Sequence, residues 1–140
     1  MNLKTIHNVY FIGIGGVGMS ALARYFVAAD KGVGGYDKTQ TTLTDALVDL
    51  GVDVQFETAV DQINTRFMDP LKTLVVYTPA ISDSNPILHY FKTANFQILK
   101  RSAVLGLITE HTKCLAVAGT HGKTTTSSIL GHLMYECDEK

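Results

Sequence analysis

Short apolar runs alternate along this chain with longer stretches in which apolar positions recur every three or four residues. Val9-Tyr10-Phe11-Ile12 is a continuous apolar run of strand length, as expected of a strand buried on both faces. From position 19 to 29 the period changes: Leu22, Ala23, Phe26 and Ala29 share one face of a helix, and Gly32 is placed to close it. A second strand, weakened by glycines, is predicted over 33–37. Thr42 is placed to cap a helix with Leu43, Ala46, Leu47 and Leu50 on one side and Gly51 as its stop. Further strands are predicted over 52–56, 74–77, 96–99 and 115–118. Asn85-Pro86 opens a helix as cap and first residue, Ser102 caps another reaching Thr109, and a last helix is predicted over 123–135.

Strands alternating with helices predict an α/β fold: a Rossmann-like parallel sheet with helices on both faces. A polar stretch at 109–113 separates two apolar ones and marks a domain boundary. Residues 1–110 then form one complete domain, and 111–140 a trailing strand, loop and helix that begin a second. The strand at 115–118 lacks a parent sheet. It is expected to pack on the first domain or to pair with another molecule, giving a homodimer through 114–118.

Composition changes this picture little. With 46% hydrophobic and 18% charged residues the chain is globular. A net charge of −1, with Lys and Arg scattered, offers no field for nucleic acid. No signal-peptide pattern opens the sequence, and no apolar run approaches the ~18 residues of a membrane span. Cys114 and Cys137 are too few for a disulfide framework, and Cys114, inside an apolar run, is expected to be a buried free thiol. A reducing cytoplasm fits these features.

The candidate chemistry lies in two glycine-rich loops. Gly13, Gly15 and Gly18 form G-x-G-x-x-G between a predicted strand and a helix, the context that pattern requires. The first glycine permits a tight turn, the second a close approach to pyrophosphate, the third close packing of the helix. The helix start then offers free N–H groups to a phosphate. Asp37 follows Gly18 by about 20 residues, where a carboxylate can accept from a ribose. The second loop runs Gly119-Thr120-His121-Gly122-Lys123-Thr124-Thr125. Its backbone can wrap a phosphate, Lys123 can reach β and γ oxygens, and Thr124 can offer a hydroxyl to Mg²⁺. It is shorter than the usual phosphate loop, with Val117 where that pattern wants glycine. His121 either contacts nucleotide or is simply exposed. His7, His89 and His111 read as surface residues, His132 as a helix residue, and Tyr90 and Phe91 as packing residues. Ser127 and Ser128 have no base placed beside them.

The second loop resembles the ATP loop of the Mur ligases of peptidoglycan synthesis. The first loop, Gly13-Ile14-Gly15-Gly16-Val17-Gly18-Met19-Ser20, is similar to that of the L-alanine-adding member. Tyr77-Thr78-Pro79-Ala80-Ile81 followed by Asn85-Pro86, and Arg101-Ser102-Ala103-Val104-Leu105, are similar to further segments of the family, in order. Three stretches depart from it: Thr78-Pro79 replaces Ser-Ser, Phe56-Glu57 stands where relatives often carry Gly-His, and Val33-Gly34-Gly35-Tyr36-Asp37 varies around its Asp.

The resemblance implies a three-domain bacterial cytoplasmic enzyme of which this chain is an N-terminal fragment, inactive as a ligase by itself. Its first domain would bind UDP-N-acetylmuramate through residues 13–20, Asp37, Lys38, Thr78 and Ala80. Its second would bind ATP through residues 119–125, with Lys123 catalytic and Thr124 on Mg²⁺, for joining L-alanine through an acyl phosphate. Three other readings stay open. Gly13, Gly15, Gly18 and Asp37 suit an NAD-dependent oxidoreductase domain, which leaves the second loop unexplained. A phosphate-loop switch module leaves the first domain unexplained. A related ligase recycles murein tripeptide, but its first loop departs from Gly-x-Gly-Gly-x-Gly.

Overall fold

The strand β1, Asn8–Ile12, is the centre of the molecule. In the computed structural model, which describes residues 3–137, Val9, Tyr10, Phe11 and Ile12 are all buried. Side chains alternate across a strand, so Val9 and Phe11 enter one core and Tyr10 and Ile12 the other. The remaining strands are β2 (Gly32–Tyr36), β3 (Asp53–Gln55), β4 (Thr73–Tyr77) and β5 (Gln97–Lys100). They form one five-stranded sheet in the order β3-β2-β1-β4-β5. All pairings are parallel, and β1 sets Asn8 against Gly32 on one side and Thr73 on the other.

Helices cover both faces. Three of them, α1 (Val17–Ala28), α2 (Thr42–Asp49) and α4 (Arg101–Glu110), place Leu22, Ala23, Phe26, Leu47, Val104 and Ile108 with Val9 and Phe11. On the opposite face α3 (Pro86–Thr93) brings Ile87, Leu88 and Phe91 to Tyr10 and Ile12. Phe67, in a short 3-10 turn over Thr65–Phe67 absent from the sequence reading, joins this second core fully buried. Tyr10 packs between Phe67 and Phe91, with ring centroids 5.4 and 5.2 Å away.

Several local signals act one residue from their expected places. Thr41, rather than Thr42, caps α2: it accepts from the Thr44 amide, while the Thr44 hydroxyl accepts from the Thr41 amide at 2.8 Å. Asn85 caps α3 as expected, accepting from Ile87 and Leu88 N–H at 3.0 and 3.1 Å. Ser102 does not cap α4, which already starts at Arg101. Gly32 does not close α1 either. Asp30 takes the left-handed conformation with φ 54°, and Gly32 is already the first paired residue of β2. The β2 glycines are packing requirements, for a Cβ at Gly34 would lie 2.6 Å from the Phe67 ring.

The chain divides into two compact units, Met1–Glu110 and His111–Lys140. In the second, α5 spans Lys123–Glu136 and buries no residue. The strand expected over 115–118 is not formed, and Leu115 is 61% exposed. A lone strand leaves its N–H and C=O groups unpaired, and the described residues of this unit supply no neighbouring strand. Cys114, expected to be buried, is exposed for the same reason. Among the described residues no helix is long and apolar enough to cross a membrane.

Candidate functional site

Strand order reverses in sequence at β1, which lies between β2 and β4. In open parallel sheets ligands bind at such a switch point, beyond the carboxyl ends of the strands. A cavity of about 720 Å³ lies there. The loop after β1 contributes Gly13 and Gly16 to its wall, with Gly18 and Met19 from the first turn of α1; Asp37 and Lys38 follow β2, Thr78, 80–82 and 84–86 follow β4, and Arg101 follows β5.

The first loop is shaped by backbone bonds. Gly13, with φ +90°, and Ile14 both donate to the Tyr36 carbonyl, at 2.7 and 3.0 Å. Gly15 N–H donates to Asp37 Oδ2 at 2.8 Å, and Thr39 N–H to Asp37 Oδ1 at 3.1 Å. Asp37 therefore ties the loop after β1 to the loop after β2. A methyl group at Gly15 would meet that carboxylate at 2.9 Å, so glycine is required by Asp37 itself. Gly16 caps α1 without a side-chain hydrogen bond, and the first turn of α1 holds no acid. The helix opens toward the cavity with its positive end uncompensated. Tyr36 is buried beneath, and burial, with the Asp37 charge adding to it, pushes its hydroxyl above the ordinary tyrosine range.

Arg101 was not singled out as a binding residue by the sequence. A Cβ at Gly18 would lie 3.0 Å from its Nη1 and 3.3 Å from its Cζ, so the guanidinium lies along the first turn of α1. The third glycine thus admits an arginine from the far end of the domain.

The second loop is described within its own unit. Gly119 has φ +155°, and Gly122, at φ +76°, is the left-handed cap of α5, again without a capping side chain. Lys123 folds back and donates to the Gly119 carbonyl at 2.7 Å. Thr120, His121, Thr124 and Thr125 are exposed. Both glycines hold conformations that side chains resist, and an uncapped helix start beside a lysine suits a phosphate.

The family model described as "Mur ligase family, catalytic domain" matches residues 8–113. The chain belongs to the Mur ligase family. It is 56% identical over 136 residues to the UDP-N-acetylmuramate--L-alanine ligase of Flavobacterium psychrophilum, and 50% identical over the same length to that of Phocaeicola vulgatus. Each alignment covers 97% of this chain and 30% of the relative, so the chain spans about a third of the length of these relatives. Among solved structures it is similar to the UDP-N-acetylmuramate-alanine ligase of Thermotoga maritima, with a TM-score of 0.81 and 31% identity over 94% of this chain and 30% of that one. It is also similar to the UDP-N-acetylmuramate:L-alanyl-gamma-D-glutamyl-meso-diaminopimelate ligase of Neisseria meningitides, at 0.80 and 26% identity over 93% of this chain and 40% of that one.

In this Mur ligase chain the sheet brings most of the residues singled out for the nucleotide sugar to one place. Gly13, Gly16, Gly18, Met19, Asp37, Lys38, Thr78 and Ala80 share the cavity wall. Ile14 and Ser20 turn elsewhere: the Ile14 side chain is fully buried in the core, and the Ser20 hydroxyl donates to the Val17 carbonyl at 3.0 Å. Their backbone N–H groups are engaged as well, Ile14 with the Tyr36 carbonyl and Ser20 with the Gly16 carbonyl at 2.8 Å, because a tight turn and a packed helix face cannot turn every group outward. Val17 is 79% exposed. Besides Arg101, the sequence reading missed Ser82 and Ser84, which line the cavity before the α3 cap. The signal for them was their place between a strand end and an Asn-Pro helix start.

Proposed function

We propose that this chain binds UDP-N-acetylmuramate in its first unit and holds the phosphates of ATP on the loop of its second, as part of a ligase that adds L-alanine to the muramic acid. The observation that carries the reading is the cavity at the strand ends. It joins an uncapped helix start for phosphate, Asp37 with lone pairs left for a ribose, and the cations Lys38 and Arg101. Its volume lies within the range of nucleotide-sized sites. The names of the relatives agree with this chemistry and count against a nicotinamide enzyme. Fold likeness alone does not separate it from the tripeptide ligase, but the higher identity to L-alanine ligases favours the latter.

In such a reaction the lactyl carboxylate attacks the γ-phosphate of ATP, giving an acyl phosphate and ADP. The amine of L-alanine then displaces phosphate as the amide forms. The protein's task is to hold the reactants in line and neutralise charge on the transferring group. Lys123 would exchange its bond to the Gly119 carbonyl for β and γ oxygens, and the amides at the start of α5 would face the same phosphates. Thr124, in the first turn, would offer its hydroxyl to Mg²⁺, a hard cation that takes oxygen donors and adds positive charge at the phosphates.

Titration calorimetry with UDP-N-acetylmuramate, with NADH in parallel, tests the reading. Saturable binding of the UDP-sugar is expected, abolished in Gly15→Val, whose side chain would evict Asp37. Binding of NADH without the UDP-sugar would overturn it.

A further inference from the structure

We infer that Arg101 is the residue that reads the diphosphate, making the cavity selective for nucleoside diphosphates over monophosphates. The inference rests on the nucleotide reading above and names what sets its phosphate count.

Arg101 is half-buried at the start of α4, its guanidinium held along Gly18 in the first turn of α1. Among the described residues no carboxylate or carbonyl partners that guanidinium. Asp37, which shares the cavity wall, has each oxygen engaged by a backbone amide, from Gly15 and from Thr39. The placement is electrostatically costly. A cation is favoured at the carboxyl end of a helix and disfavoured at the amino end. Here it lies against the amino end of α1, whose first turn holds neither an acid nor a capping side chain. Two positive features converge on one cavity of about 720 Å³, and the carboxylate in its wall, Asp37, is bonded to backbone amides and not to the guanidinium.

An anion with two adjacent charged centres resolves this arrangement. One phosphate fits the amides at the start of α1, and the next falls to the planar fork of Arg101, which suits phosphate oxygens in pairs. A monophosphate uses the helix start and leaves the guanidinium unpaired. Lys38 also lines the cavity, but it is exposed and its ammonium is a hydrated point charge on a long stem. The fork is therefore assigned to Arg101.

The test is calorimetric titration of the whole chain with UDP and with UMP, for the wild type, Arg101→Gln and Arg101→Lys. The wild type is expected to prefer UDP. Arg101→Gln should weaken UDP by about ten- to a hundredfold, the range for hydrogen bonds to charged groups, and UMP by less than about threefold. Arg101→Lys should fall between, keeping charge without the fork. Thermal melts of the variants should match the wild type, since the guanidinium makes no protein bond. Equal losses for UDP and UMP, or no loss for either, would overturn the role of Arg101 while leaving the nucleotide site standing. A wild type that binds neither nucleotide nor the UDP-sugar would overturn the site and this inference together.

Discussion

At the scale of residues, the polar groups of the first unit divide between holding the fold and facing the cavity. Tyr10 belongs to the fold. Its hydroxyl donates to Gln55 Oε1 at 2.9 Å, and burial, with the charge of Asp53 adding, raises its pKa well above the ordinary range. The fold therefore prefers the neutral phenol. The corresponding stability is complete below the unfolded value near 10 and is lost as pH rises past it. Tyr10→Phe should flatten the fall in stability between pH 7 and pH 11, as read by urea unfolding. At pH 7 it should cost about 1 kcal/mol for the lost hydrogen bond. An unchanged fall across that interval would refute the assignment. The motif glycines and Asp37 were readable from the sequence because their chemistry is local to two loops. Arg101 was not, because its meaning comes from Gly18, which the chain places far from it in sequence and the sheet places beside it.

Elements were legible where a local signal and a tertiary partner agree. Asn85-Pro86 is one case: cap, fixed φ and an apolar face with Ile87, Leu88 and Phe91 all point to α3. Asn85→Ala should destabilise the domain by about 1 kcal/mol, lowering the melting temperature by about 4–8 °C. Because Asn85 also lines the cavity, the melt is taken without ligand. A shift below about 1 °C would mean that the two capping bonds contribute little. The 115–118 segment shows the reverse. Its apolar run is as continuous as that of β4, yet no strand forms, because a strand is defined by the neighbour that satisfies its backbone. The turn that buries Phe67 was unreadable for a different reason: one aromatic in a polar, aperiodic stretch carries no period to detect.

For the whole molecule, the first unit is predicted to keep its stability by itself, since it holds the sheet and both cores. The sheet and both cores lie within the first unit, and α5 buries none of its residues. A chain ending at Glu110 should melt within about 2 °C of the full chain and bind the UDP-sugar with equal affinity. A large loss of either would show that 111–137 supports the first unit. Amides of α5 should exchange with solvent far faster than those of β1 and β4, as backbone bonds without buried contacts do. The sequence by itself determined the order and period of the strands and α-helices of the first unit, the parallel sheet, both glycine-rich loops and the family, because each of these is written in residues close along the chain. Tertiary structure alone decided that Asp37 binds the Gly15 amide, that Arg101 lies unpaired on the start of α1, and that 115–118 is no strand. Those outcomes depend on which groups meet across the sheet, and a contact between distant segments leaves no local mark on either.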